Sequence, residues 1–528
     1  MRTLSNLRLL GTIVAIAGAT VGLPALAQQK VLRAVPHADL KVLDNHTGSI
    51  QITKIYGLMV YDQLFAWDEK LQAKPMMVGD YTVSADGLKY TFKLRPGLKW
   101  HDGTKVTSKD VVPSIKRWAS RDAMGQKLME FTAAMEAVDE DSFTVILKQP
   151  YGFVEFTLGS DGPQIPTIYR EKEAATDAFT AITETIGSGP FKFNRAEWQP
   201  GVKLVFDKNK DYVPRNEPPN GMAGGKVVKV DRVEWNIIPD TGTAAAALTR
   251  GEVDFWDSPP NDQVPIIEKS KDVVVAPLTP FGNIGFLRTN TLFPPFNDYR
   301  ARLALAYLFD QRDFQRAASG DERWWKVCYA MYICDTPFGT EAGAEEIRKL
   351  DRVKAKQLMA DAGYKGEKLV LTTTAEIKPI GDLAQVAVAQ LREIGVNVDM
   401  QLSDWGTVVG RIAKMDPPDK GGWNMFASRA SGTSYFHPVT NTAANMSCDR
   451  KNWVGWPCDE TATKLRDQVI RATDEGQRKA LMETYHRRLI EQQPYTLLGQ
   501  FQLLFAWRKE VTGVLKSAVL AYWNMEKS

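Results

Sequence analysis

The chain has 528 residues, 44% hydrophobic and 24% charged, an ordinary globular composition that excludes disordered and collagen-like chains. A single core rarely grows past about 250–300 residues, so at least two domains are expected. The formal net charge of +3 includes Arg2 and Arg8 of the extreme N-terminus, so the rest is near neutral and offers no electrostatic case for nucleic acid.

The first segment reads as a secretory signal. Arg2 and Arg8 supply a positive start, Leu9 to Leu23 is apolar and rich in small residues, and Ala25-Leu26-Ala27 gives an A-x-A cleavage site before Gln28. The apolar run falls short of the ~20 residues that span a bilayer comfortably. Residues 1–27 are expected to be removed, leaving a soluble periplasmic chain. No cysteine follows the cleavage site, so no lipid anchor is expected there.

Lys30 to Val35 then reads as a strand, and Tyr81 to Leu94 as a hairpin turning at Asp86-Gly87. Thr107 and Asp110 form a capping-box signature before Val111, Val112 and Ile115, so a helix starts there. Phe143, Val145 and Leu147 alternate as another strand, and the Pro/Gly-rich stretch from Pro214 to Gly225 is a surface loop. Val233, Trp235 and Ile237 form a strand, Asp240 or Thr241 caps an alanine-rich helix ending near Gly251, and Val253 to Phe255 follows as a strand. That strand–helix–strand unit implies parallel strands side by side. The same grammar returns later. A helix runs from Asp351 to Gly363, a strand from Leu369 to Thr373, a helix along Leu383, Val386, Ala387, Leu391 and Ile394, and a strand from Val396 to Leu402.

Signatures of catalysis are missing. The sequence has no phosphate-binding glycine loop, no dinucleotide turn and no G-x-S-x-G elbow. None of its five histidines stands four residues from another, so no helical metal pair exists. Four cysteines allow three pairings. An oxidising destination and proximity favour Cys328 with Cys334 and Cys448 with Cys458; zinc would want C-x2-C spacing or nearby histidines.

Several segments together resemble a known family. These are "DYTVSADGLKYTFKLRPGLKWHDGTKVTSKDVVPSIKR" up to Arg117, Gly187 to Phe193, "LTRGEVDF" from Leu248, "PPFNDYRARLALAYLFDQRDF" from Pro294 and "KAKQLMADAGY" from Lys354. In this order they resemble the family 5 extracellular solute-binding proteins of ABC importers, the dipeptide/oligopeptide-binding type. The resemblance implies an α/β, two-lobed periplasmic binding protein fold of class II type, with an extra domain in the larger lobe and a two-strand hinge. The larger lobe would comprise about 28–280 with 495–528, its extra domain about 58–180, and the smaller lobe about 281–494 with both cysteine pairs. It implies a monomer that captures a small solute and hands it to an ABC permease, with no catalytic residue, metal or cofactor. A ligand sensor or chaperone would use the same fold, and a secreted hydrolase would need an activated nucleophile that is not visible.

By the same resemblance, dipeptide-binding relatives hold the peptide ammonium with an Asp of a Gly-Asp-x-x-Asp-Pro stretch and the carboxylate with an Arg before a helix. Here Ser434 stands where that Asp would be, in Ser431-Gly-Thr-Ser434-Tyr-Phe-His437-Pro438, and Thr372 to Lys378 holds Thr374 and Glu376 but no Arg. A free dipeptide is therefore disfavoured against a modified peptide, an opine-like compound or an amino-acid conjugate. Glu376 would meet a ligand cation or pair with Lys378, and Arg429 would receive a carboxylate bidentately or bridge to a surface acid. Trp405 is expected to line the cleft, with Trp423 and Tyr435 as neighbours, although core packing explains Trp423 equally well. His46 and Thr47, in the loop Asp44 to Gly48, are the candidates from the larger lobe.

Overall fold

The computed structural model describes residues 29–528 apart from Ser49, Pro280 and Lys451. The signal segment read at 1–27 lies outside the described residues. Among those described, no helix is long and apolar enough to cross a membrane.

Two mixed sheets organise the chain. The first has seven strands, in spatial order Val273–Pro277, Leu504–Arg508, Phe255–Asp257, Val31–Val35, Arg232–Asn236, Lys203–Lys208 and Phe191–Phe193. Helix Thr241–Arg250 joins two of them. The Asp240 carboxylate accepts the Thr243 N–H at its start, and Gly251 closes it with a φ of 79°, the left-handed stop that favours glycine. The two strands this helix joins are not neighbours, as the sequence pattern suggests. Val31–Val35 lies between them and is parallel to both, since its apolar residues are buried only at the centre of a sheet covered on two faces.

The second sheet has six strands, in order Trp325–Lys326, Thr496–Phe501, Asn283–Thr289, Met425–Ser431, Leu369–Thr373 and Val398–Leu402. Helix Lys378–Glu393 carries the chain between the last two, which are parallel, and buries Leu383, Ala384, Ala387 and Leu391. A separate four-stranded antiparallel sheet, Val78–Val83, Lys89–Leu94, Ser142–Leu147 and Thr132–Ala137, contains the hairpin read from the sequence. Its face packs on helix Ser108–Ala119, whose Thr107–Asp110 capping box is formed.

The chain passes from the first large sheet to the second at 278–282 and returns at 502–503. The sequence puts the return near 495. The strand Thr496–Phe501 instead pairs antiparallel with Asn283–Thr289, because its six residues are all buried and are satisfied only inside the second sheet. Between the passages, Cys328 is bonded to Cys334 and Cys448 to Cys458.

Each disulfide closes a short loop, worth about 2–3 kcal/mol through the entropy it removes from the unfolded chain. Replacing Cys448 and Cys458 by Ser is expected to lower unfolding free energy by that amount in urea titration. Non-reduced protein should contain no alkylatable thiol by mass; two labelled thiols would remove one of the bonds.

Candidate ligand-binding site

A cavity of about 410 Å3 lies between the two large sheets. Its position follows from strand direction. Val31–Val35 and Phe255–Asp257 run parallel and side by side, with Val35 opposite Trp256. Their carboxyl ends therefore deliver His37 and Asp257 to one place, the crevice where open α/β sheets bind ligands. The facing wall comes from strand Met425–Ser431 and the short helix after it, as Arg429, Ser431, Thr433 and Ser434. The passages between sheets close the bottom with Leu278, Phe281, Gly282 and Leu503. A second cavity of about 650 Å3 shares Ser258, Arg429 and Leu503 with the first and reaches Trp324 and the start of helix Lys378–Glu393.

Four titratable side chains line the first cavity. His37 Nδ1 is bonded to Asp257 Oδ2, and Asp257 Oδ1 accepts the Ser258 hydroxyl at 3.0 Å. Burial works against a charged imidazole, but the charge and hydrogen bond of Asp257 outweigh it, so the proton affinity of His37 is raised. Lys54 sits on helix Gln51–Val60, and its ammonium reaches only the main-chain oxygen of Asp161, at 3.5 Å. Burial pulls its pKa down to about 8 against the pull of Asp161 and Asp122. The Arg429 guanidinium is open to the cavity and makes no hydrogen bond or ion pair to any described residue, and desolvation by the cavity walls lowers its pKa.

The model of the family described as "Bacterial extracellular solute-binding proteins, family 5 Middle" matches residues 72–453. The chain belongs to this family. The probable peptide ABC transporter periplasmic-binding protein y4tO of Sinorhizobium fredii is 38% identical over 527 residues, 97% of each chain. Two solved structures share the two-lobed fold. The oligopeptide-binding protein AppA from Bacillus subtilis, in complex with a nonapeptide, has a TM-score of 0.73 at 21% identity, covering 95% of this chain and 99% of that one. AgaA from A. tumefaciens R10, in complex with agropinic acid, has a TM-score of 0.74 at 22% identity, covering 94% and 99%.

The family 5 pattern guides some of the expected residues to the cavity and not others. Arg429 and Ser434 line it. His46 does not. It is fully buried, its Nε2 donates to the Thr167 carbonyl at 2.9 Å, and its ring packs on Tyr169 at 4.4 Å. Thr47 donates its hydroxyl to the Asp44 carbonyl. The loop they share is tied down by Asp44, which pairs with Arg117 at 2.9 Å and accepts the Tyr169 hydroxyl. Trp423 is fully buried against Phe426 and Trp456, and Tyr435 is buried between Phe286 and Tyr495. These aromatics are core. Thr374 is enclosed, its hydroxyl accepting the Glu376 N–H. Glu376 accepts the main-chain N–H of Trp405 at 2.9 Å, at the start of helix Trp405–Ile412, whose N-cap is Asp404, and Lys378 pairs with Asp382, not with Glu376. Trp405 is half-buried against the core and lines no described cavity. Sequence reasoning missed His37, Lys54 and Asp257. The available signal was that His37 and Asp257 each follow the end of a strand.

His46 makes a sharp stability probe. Burial holds its pKa down to about 3, and His101 and His486 down to about 4. The unfolded chain binds these protons near pH 6.5, so the stability from keeping them neutral is complete above that pH and is lost as pH falls towards the folded values. Buried Asp122 and Asp161, raised by desolvation to about 6 and about 7, act in the opposite sense. The melting temperature is expected to fall between pH 6.5 and 4, and less steeply in H46A. Equal slopes in the two proteins would mean that His46 is not buried neutral.

Proposed function

We propose that this chain is the periplasmic binding subunit of an ABC importer, enclosing a peptide or peptide-like small solute between two lobes and delivering it to the membrane permease. The observation that carries the reading is the cavity itself. It has a size suited to a small solute, walls from both sheets, a bottom made of the two passages, and a guanidinium, Arg429, that has no partner among the described residues. The lobes in this reading are 29–277 with 504–528, and 283–501. The antiparallel sheet within 78–147 belongs to an extra domain of the first. The protein acts as a monomer outside the cytoplasmic membrane and binds without turnover.

Closure is the working step. A solute touching Lys54 and Asp257 on one lobe and Arg429 and Ser434 on the other favours the closed state, because only that state offers both sets of contacts. Contacts across the lobes support this reading. Phe153 meets His437 at 4.6 Å, Trp67 meets Phe436 at 5.0 Å, and Arg323 pairs with Glu268 at 2.9 Å. Loss of the dipeptide anchors at Ser434 and Thr374 supports a modified peptide, opine-like compound or amino-acid conjugate over a free dipeptide.

The test is a thermal-shift screen on protein unfolded and refolded to strip bound solute. The panel contains peptides, blocked peptides, opines, amino-acid conjugates and sugars. A true solute at a hundredfold excess over Kd adds about 2.7 kcal/mol. A panel in which only sugars shift the melting temperature would overturn the peptide-like reading.

A further inference from the structure

With the cavity taken as the solute site, a reading on which this inference depends, its charge pattern selects a chemical class. Two cations line it, Lys54 and Arg429, against a single carboxylate among the described lining residues, Asp257. That carboxylate is occupied on both oxygens, by the His37 ring and the Ser258 hydroxyl. Among the described residues the Arg429 guanidinium has no hydrogen-bond or ion-pair partner, whereas Lys54 has one long contact to a main-chain oxygen and lies in the field of the Asp161 and Asp122 carboxylates. The remaining polar groups of the facing wall, Ser431, Thr433 and Ser434, are neutral hydroxyls, and the first two are bonded to each other at 2.8 Å.

A free ammonium entering this space would lose water, find the one carboxylate among the described lining residues already engaged on both oxygens, and face the unpaired charge of Arg429. A carboxylate would meet a planar guanidinium with its donors free, the geometry suited to a two-point bond. We propose that the solute is an acid without a free amino group, an N-acylated, lactam or otherwise amine-blocked amino acid or short peptide. Its carboxylate sits on Arg429 and its blocked end lies towards the His37–Asp257 pair. Arg429 borders both cavities, so the acid group sits where they meet and a longer acid extends into the second.

The experiment measures Kd by calorimetry for matched dipeptides in three forms: free, N-acetylated, and N-acetylated with a C-terminal amide. The N-acetyl acid is expected to bind at least tenfold tighter than its amide and no weaker than the free peptide. In R429Q the acid and amide should bind within threefold of each other, with the melting temperature of the empty protein unchanged, since the exposed Arg429 guanidinium has no partner among the described residues. An amide that binds wild type as tightly as its acid, or a free peptide that binds tenfold tighter than its acetylated form, overturns this inference and leaves the peptide-like reading standing. If no form of any peptide binds, that reading fails and this inference with it.

Discussion

The two large sheets are joined where the chain crosses at 278–282 and 502–503, and these short crossings constrain both motion and binding. They run antiparallel beside each other, continuing the pairing of Asn283–Thr289 with Thr496–Phe501 on one side and Val273–Pro277 with Leu504–Arg508 on the other. Backbone hydrogen bonds fix them at each end: Gln502 donates to the Trp324 carbonyl at 2.7 Å, Ser517 to that of Leu278 at 2.8 Å, and Gly432 to that of Gly282 at 3.0 Å. Gly282 is needed there. Its φ is 54°, and a Cβ would lie 2.3 Å from the Phe501 carbonyl oxygen, so any side chain would force the strands apart. Because Leu278, Phe281 and Leu503 also form the bottom of the cavity, a bound solute rests on the segments whose dihedrals must change when the lobes move.

Beside the crossings, an aromatic seam joins the lobes. Trp67, Phe153 and Phe156 from one side pack on Phe338, Phe436 and His437 from the other, with ring centroids 4.6–6.2 Å apart where they meet across the seam. Arg478 lies over Phe153 and donates to the Gly152 carbonyl. Apolar contact of this kind stabilises closure with or without solute, at roughly 25 cal/mol per Å2 buried. The cavity works the other way when empty, since closure then partly desolvates Arg429 with no acceptor.

Much of the fold was legible because its signals are local. The Asp86-Gly87 turn, the Thr107–Asp110 capping box and the Asp240 and Gly251 helix ends each depend on residues within a few positions of one another, and each is formed. The site was less legible because its members are distant in sequence. His37 and Asp257 meet only because two parallel strands lie side by side, an adjacency that the sequence pattern assigned to a different pair. Lys378 stands two residues from Glu376 but begins a helix, so its ammonium reaches Asp382 one turn on. Trp423 and Tyr435 show a further limit. An aromatic residue near a cleft in sequence fits the core and the cleft equally well, and only burial separates the two.

How the protein treats its fully enclosed cations gives Arg429 its meaning. Arg117 is answered by Asp44 at 2.9 Å and by the carbonyls of Asp177 and Thr180, and Lys226 by Asp62 at 2.7 Å. Arg288 donates to the carbonyls of Val454, Ala443 and Pro494, and Arg302 to those of Gln492 and Phe296. In each case the fold supplies the acceptors, as it must where water is excluded. Arg429 sits on a strand between Ser428 and Ala430, where a neutral side chain would satisfy the sheet, and its guanidinium opens into the cavity with no acceptor from the fold. Arg429 differs from these in being exposed to the cavity, so it needs no acceptor from the fold and its donors are accessible to one that arrives with a solute.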